Sequence, residues 1–363
     1  MRRMARRAIH QIVAGFVEGD AISNHALALQ KIFRAWGHGS EIFCPLRHIS
    51  PRMRGRARDL AAHRAEARPG DLTLFHFSIG SETVDYVRAL PAPRVLVDHN
   101  ITPGRWFHAL YDERERILDR GRGELAGLAA LPDLCLADSA FNAEELVAAG
   151  FRHVEVMPII VGDPLARERP DEKFLRRWRD GLKNILFVGR VVPNKRFEDL
   201  LKAFAAYRRF VGRDARLLLV GSYMGLERYL ALLKNLAREL GLDNVLFTNH
   251  VRADQLAGFY RVADLFLCAS EHEGFCIPLL EAMAADVPVL AYAAGAVPET
   301  LGGSGVLYRE KDYPRIAEMM AFLLADGPLR RGVIARQRAR LAAFDPGLLE
   351  RRLKGHLTRW LAP

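Results

Sequence analysis

Glu273 and Glu281 stand eight positions apart in Ser270-Glu-His-Glu-Gly-Phe-Cys-Ile-Pro-Leu-Leu-Glu-Ala-Met-Ala284, directly after the apolar run Leu265–Cys268. A carboxylate accepts hydrogen bonds from vicinal hydroxyls, so such a pair can hold a sugar and a ribose on either side of a diphosphate. Pro278 suits the first turn of a helix, where its missing N–H costs nothing, which makes Gly274, Phe275, Cys276 and Ile277 a strand-to-helix loop. Backbone N–H groups there point toward an anion, and a helix N-terminus beside a glycine is a ready phosphate site. Taken alone, the same two residues also read as a capping and a surface glutamate. Upstream, Asn184-Ile-Leu-Phe-Val-Gly-Arg-Val-Val-Pro-Asn-Lys195 is again strand, then loop. Gly189 allows a tight exit from the strand, and Arg190 and Lys195 project two cations toward the carboxyl edge of a sheet. Two cations there can stabilise the charge left on a departing phosphate, although the isolated pattern also describes a solvated loop.

Together these stretches resemble the family 4 glycosyltransferases, and Asp286-Val-Pro-Val-Leu-Ala-Tyr-Ala-Ala-Gly-Ala-Val-Pro-Glu299 continues the resemblance. The resemblance implies a GT-B fold, α/β with two doubly wound Rossmann-like domains facing an interdomain cleft, and transfer of a sugar with retention from a nucleotide diphosphate donor. It gives Glu273 the donor sugar hydroxyls, Glu281 the ribose, and Arg190 with Lys195 the leaving diphosphate. Cys276 departs from the pattern, standing where small Gly or Ala is common. In Phe247-Thr-Asn-His-Val-Arg252 the resemblance places the nucleobase pocket at His250 and Val251; an ordinary strand end with a satisfied histidine reads equally well.

The N-terminal half is the expected acceptor side. Gly19 and Asp20, in Phe16-Val-Glu-Gly-Asp20, resemble the family's first loop, whose backbone approaches the donor phosphate, and equally describe a glycine turn with Asp20 as a helix cap. Val97-Asp-His-Asn-Ile-Thr-Pro103 puts the family's active-site histidine at His99, which is expected to orient the sugar by hydrogen bonding. His76, in Phe75-His-Phe-Ser-Ile-Gly80, reads as a core histidine, and Ser139 as a helix cap. No Asp-x-Asp occurs in the sequence, the arrangement that holds a divalent cation against a diphosphate in the other large transferase architecture. Metal and cofactor are therefore both expected to be absent.

The elements that must position these residues are short β-type runs alternating with amphipathic helical stretches, the rhythm of parallel sheets with crossover helices. A first series runs through His10–Phe16, Glu41–Cys44, Thr73–Phe77, Arg94–Asp98, Leu134–Ala137 and Val154–Met157. A second runs through Asn184–Val188, Ala215–Val220, Val245–Thr248, Leu265–Cys268, Val289–Ala291 and Gly305–Leu307. Between Ser23 and Trp36, residues Ala26, Leu29, Phe33 and Trp36 share one helix face, and Gly37 ends it. The charged, proline-containing stretch after Gly162 breaks the rhythm. The spacing predicts an N-terminal domain over 1–165, a connector over 166–183, a donor domain over 184–345, and a terminal helix over 346–363 packing back on the first domain.

With 363 residues, 50% hydrophobic and 26% charged, the chain has ordinary two-domain globular composition. No apolar run approaches bilayer length, and the basic start lacks the apolar segment of a signal peptide. The scattered cysteines Cys44, Cys135, Cys268 and Cys276 favour a reducing cytoplasm. A net charge of +10 reads equally as a solvated arginine-rich surface, and otherwise suits a polyanionic small-molecule site or docking of the basic N-terminal domain on anionic lipid at the inner face of the membrane. Neither a Cys/His finger nor an aromatic RNA-binding pattern is present, so nucleic acid is not an expected partner. The expected partners are a nucleotide-sugar donor, with a hexose such as mannose or glucose, and a glycan or lipid-linked acceptor of bacterial surface polysaccharide synthesis. A silent nucleotide-sugar-binding subunit and a sugar-nucleotide epimerase are the alternatives on the same architecture.

Overall fold

The computed structural model describes residues 7–91, 93–160 and 170–361. The chain divides into two compact units, one comprising Met1–Gly162 with Phe344–Pro363 and the other Asp163–Ala343. The first is built on seven strands: β1 (Ile9–Val13), β2 (Ile42–Cys44), β3 (Arg58–Asp59), β4 (Leu72–Phe77), β5 (Arg94–Asp98), β6 (Leu134–Ala137) and β7 (Val154–Val156), in the order β3-β2-β1-β4-β5-β6-β7. The second is built on β8 (Lys183–Val188), β9 (Ala215–Val220), β10 (Val245–Phe247), β11 (Leu265–Cys268), β12 (Val289–Tyr292) and β13 (Val306–Tyr308), ordered β10-β9-β8-β11-β12-β13. Every pairing is parallel, for example Phe75 with Leu96 and Leu186 with Phe266.

Parallel strands covered by helices on both faces need apolar residues on both, which is why β9 reads Ala-Arg-Leu-Leu-Leu-Val and β11 Leu-Phe-Leu-Cys without alternation. Each sheet turns back on itself beside its first strand, so that β1 and β4, and likewise β8 and β11, are neighbours whose following loops run in opposite directions. Ligands of doubly wound sheets lie beyond the strand ends at this point.

Helix Pro346–Leu361 belongs to the first unit. Its Leu349, Leu353, Leu357 and Trp360 recur every three or four residues and are buried in one core with Ile9, Phe33, Leu72, Val95 and Leu134. Each such leucine is worth about 1.5–3 kcal/mol when fully buried. Trp36 Nε1 donates to Glu350 Oε1 at 2.8 Å across the same contact.

The expected connector differs from what is found. Its residues 166–169 lie outside the described residues, but 172–178 form helix Glu172–Trp178, capped by Asp171, whose carboxylate accepts from Lys173 N at 3.0 Å. Phe174 meets Phe259 of helix Ala253–Val262 edge to face and Trp178 packs on it at a tilt, so this turn is part of the second unit's packing. Three apolar residues among four charged ones were too few to break the charge-dense appearance of the stretch. The edge strand β3, two residues long and bearing an arginine, carries no periodic signal at all.

Candidate functional site

In the second unit the loops after β8 and β11 meet at the switch point. Lys195, closing the first loop, donates from Nζ to Glu273 Oε1 at 2.6 Å, and the two side chains are 16% and 10% exposed. Burial by itself would lower the Lys195 pKa; the Glu273 carboxylate, assisted by the sulfurs of Cys276 and Cys268, outweighs it and raises the value. Removing either member of such a pair strands a buried charge, at a cost of about 3–5 kcal/mol. The side-chain amide of Asn194 joins the loops, donating to His272 O at 3.0 Å, while Glu271 N donates to Asn194 O at 2.9 Å. Arg190 is exposed on the first of these loops.

Gly189 does not take a left-handed conformation; its function is space, since a Cβ there would meet Lys195 Cδ at 3.0 Å. A glycine that does require its backbone freedom is Gly295, at φ 54°, where a Cβ would lie 2.7 Å from Glu273 O. The neighbouring Ala296 N donates to that same carbonyl at 3.0 Å, fixing the Glu273 backbone from behind.

Gly274 and Phe275 lead into helix Ile277–Ala284, with Pro278 in its first turn. Thr300 Oγ1 donates to Phe275 O at 2.6 Å, pinning the turn. Cys276 caps the helix at φ 70°, a left-handed conformation that costs a side-chain-bearing residue roughly 1–2 kcal/mol. A glycine would meet this backbone demand without that cost. Within the helix, Glu281 Oε2 accepts from Tyr260 O–H at 2.6 Å; loss of water around the carboxyl raises its pKa, only partly countered by that bond. Beside the pair, Asp199 and Glu271 both receive Lys311 Nζ, and Arg196 bridges to Asp199 at 3.1 Å. His250 is exposed and Val251 half-buried on the loop after β10.

In the first unit, Gly19 turns at φ 75° and the Asp20 carboxylate caps helix Ala21–Ala35, accepting from Ser23 N and Ser23 Oγ, both at 2.9 Å. Ser139 likewise accepts from Asn142 N at 3.2 Å. His99 follows β5. Its Nδ1 meets Asp138 Oδ2 at 2.7 Å and its Nε2 meets His76 Nδ1 at 2.8 Å, the rings lying nearly parallel. Both ring nitrogens of His99 thus lie within bonding distance of groups of its own unit. His76 is fully buried and its Nε2 meets Gln11 Oε1 at 3.0 Å. Burial lowers the pKa of His76 and of His25, as does the neighbouring His99. For His99 burial also lowers the value, but Asp138 prevails and raises it.

Of the residues singled out from sequence, the structure thus brings Lys195 into contact with Glu273 and sets Gly189, Arg190, Gly274, Phe275, Cys276, Ile277 and Glu281 on the two loop-to-helix turns around them. It places Gly19, Asp20 and His99 in the other unit. Asn194, Tyr260, Gly295, Thr300 and Lys311 were not foreseen, because their contacts join residues far apart in the chain.

Residues 168–340 match the family model of glycosyl transferases group 1. An N-acetyl-alpha-D-glucosaminyl L-malate synthase of Bacillus anthracis is 38% identical over 165 residues, which is 45% of this chain and 41% of that protein. A GDP-mannose-dependent alpha-(1-6)-phosphatidylinositol monomannoside mannosyltransferase of Mycobacterium tuberculosis is 34% identical over 175 residues, 45% of this chain and 43% of that protein. The matched stretch therefore spans less than half the length of either relative. Among solved structures, a sucrose-phosphate synthase from Thermosynechococcus elongatus superposes with a TM-score of 0.76 at 18% identity, covering 98% of this chain and 99% of the other. The fold is GT-B, and the match to the glycosyl transferases group 1 model lies in the second unit's residues.

Proposed function

We propose that this chain, a GT-B fold with a group 1 glycosyl transferase segment, is a retaining, metal-independent family 4 glycosyltransferase that moves a hexosyl group from a nucleotide diphosphate sugar to a glycan or lipid-linked acceptor. The observation that carries the reading is the Lys195–Glu273 pair at the switch point of the second sheet. In the absence of donor each charge compensates the other. When donor binds, the ammonium turns to the diphosphate and the carboxylate to sugar hydroxyls, so neither is left buried and unpaired. Arg190 and Lys195 then meet the charge that accumulates on the leaving phosphate, the task a divalent cation performs elsewhere. The acceptor hydroxyl attacks from the side the phosphate leaves, and that phosphate takes its proton. Glu281, held by Tyr260, accepts from the ribose; His250 and Val251 flank the base; Gly19 and Asp20 present backbone to the phosphate. His99 contributes through its place in the first unit's buried cluster.

The two relatives differ in sugar, one being an N-acetylglucosaminyl and one a mannosyl enzyme by name. The second supports mannose as the hexose and a lipid-linked acceptor. Among the described residues no helix is long and apolar enough to cross a membrane. The exposed Arg54 and Arg56 of the first unit, beside Arg47 and Arg52 that pair with Glu82 and Glu18, supply a cationic edge for anionic lipid, and vesicles of phosphatidylglycerol would retain the protein in a salt-sensitive manner.

The test is a thermal-shift panel of UDP, GDP and ADP sugars followed by transfer assays in EDTA. One nucleotide class is expected to raise the melting temperature, with slow donor hydrolysis lacking acceptor and transfer persisting in chelator. No shift with any of the three at millimolar concentration overturns the reading. Binding without any turnover favours the silent subunit, and an epimerised donor favours the epimerase.

A further inference from the structure

We propose that the N-terminal unit holds one divalent transition-metal ion, zinc by preference, between His25, His76 and His99. Each histidine offers one ring nitrogen, and the three nitrogens lie within 4.8 Å of one another. They come from separate elements, His25 from helix Ala21–Ala35, His76 from β4, and His99 from the residue after β5.

The surrounding hydrogen bonds decide which nitrogens face inward. Gln11 Nε2 donates to Ala26 O at 2.9 Å, which turns Gln11 Oε1 toward His76 Nε2 at 3.0 Å. An amide oxygen only accepts, so His76 carries its proton on Nε2 and presents a lone pair at Nδ1. Asp138 Oδ2 accepts from His99 Nδ1 at 2.7 Å, which leaves the His99 Nε2 lone pair facing the same point. These inward nitrogens are 2.8 Å apart, and two lone pairs that close require a cation between them. A proton would serve two rings, but it leaves the third unexplained. His25 is only 2% exposed, stands edge-on to both other rings at 5.8 and 5.6 Å, and has no hydrogen-bond partner at either nitrogen. A metal ion uses all three.

The outer partners have the form expected around such an ion, since ligating histidines donate their other N–H to a carboxylate or carbonyl oxygen that fixes ring and tautomer. Three imidazoles without thiolate suit zinc, copper, nickel or iron over magnesium or calcium. Zinc–nitrogen bonds of about 2.0–2.1 Å need the two inward nitrogens to part by roughly half an ångström, a small ring rotation. Buried Asp138 and Asp98 stand beside His99 to balance the charge. The inference rests on this unit's residues alone and is independent of the transferase reading. The leaving-group role proposed above is given to Arg190 and Lys195 and not to this ion, so transfer that persists in chelator is compatible with it.

Cys268, Glu273 and Cys276 form a second group of metal-capable atoms, but Glu273 is already bonded to Lys195. That group serves as the control. Tag-free full-length protein, expressed with zinc and freed of loose ions by gel filtration, is to be assayed by elemental analysis, then stripped and reloaded with cobalt. About one zinc per chain and the intense visible bands of four-coordinate cobalt are expected. His25→Ala should lower the content ~10-fold or more with the circular dichroism spectrum retained, and Cys276→Ser should leave it unchanged. Zinc below about a tenth of an equivalent, octahedral cobalt spectra, unaltered content in His25→Ala, or loss on Cys276→Ser would overturn the proposal. The first two readouts use the unaltered chain, so they decide the matter even where a variant fails to fold.

Discussion

The first six strands of the two sheets follow one wiring, with the turn-back beside the opening strand in each. Beyond those strands the two units nevertheless present opposite chemistry. In the second unit a cation and an anion face each other across two loops, tied from beneath by Asn194 and from behind by Ala296. In the first unit imidazoles, an amide and a carboxyl bond to one another and turn their polar atoms inward. Strand order therefore dictates where polar residues collect, while the side chains delivered there decide whether they form an ion pair or a network of imidazoles, amide and carboxyl. In the second unit an ion pair occupies that place; in the first, both nitrogens of His25 and one oxygen of Asp138 have no hydrogen-bond partner beside groups that bond to one another.

The sharpest way to break this contrast is Lys195→Ala. Turnover should fall by about 10²–10³-fold, while donor affinity changes far less, because leaving-group charge peaks in the transition state. Steady-state kinetics and direct donor titration decide it, and equal losses in both would remove Lys195 from the leaving-group role. On the other side, Leu353→Ala should cost the first unit about 2–5 kcal/mol by urea unfolding, from lost burial and the cavity left behind. Donor-induced stabilisation of the second unit should persist, and a loss below about 1 kcal/mol would mean that the terminal helix is not part of that core.

A subtler intervention is Gly295→Ala, which forces a side chain against Glu273 O at a positive φ. We expect about 1–3 kcal/mol of destabilisation and weaker donor binding, read by thermal shift with and without donor. Unchanged donor affinity would show that the Glu273 backbone need not be held so closely. The smallest effect is that of Glu281→Gln. A carboxyl whose pKa is raised on folding takes up protons preferentially in the folded chain. Its stability contribution is thus fully present below the unfolded value near 4.5 and is lost as pH climbs through the higher folded value. The glutamine keeps the Tyr260 hydrogen bond without the charge, so its melting point should match the parent near pH 4 and exceed it near pH 8. A difference independent of pH would contradict the raised value.

Much of this was legible in the sequence. Strands β5, β6, β9 and β11 fall on the residues read from apolar runs alone, because strands buried on both faces write an unbroken signal. The Gly274–Ile277 turn was readable from Pro278. Less legible was everything that depends on residues meeting from afar. Gln11 is an ordinary strand residue until Ala26 fixes its amide and His76 takes its oxygen. His99 carried a resemblance to a sugar-orienting residue, yet its bonding to Asp138 and His76 appears only when three strand ends are set side by side. Helix Glu172–Trp178 was concealed by four charged residues on its solvent side, though Phe174 and Trp178, four apart, were its trace.

The return of helix Pro346–Leu361 to the first unit has a consequence for biosynthesis. The earliest-made sheet cannot receive its final cover until the ribosome has translated the entire second unit, so an unfinished greasy flank travels with the nascent chain in the meantime. A polypeptide stopped at Ala343 should still fold its second unit but bind a hydrophobic fluorescent dye strongly, and supplying 344–363 as a separate peptide should quench that signal; dye binding no greater than that of the full chain would show that the flank finds other cover.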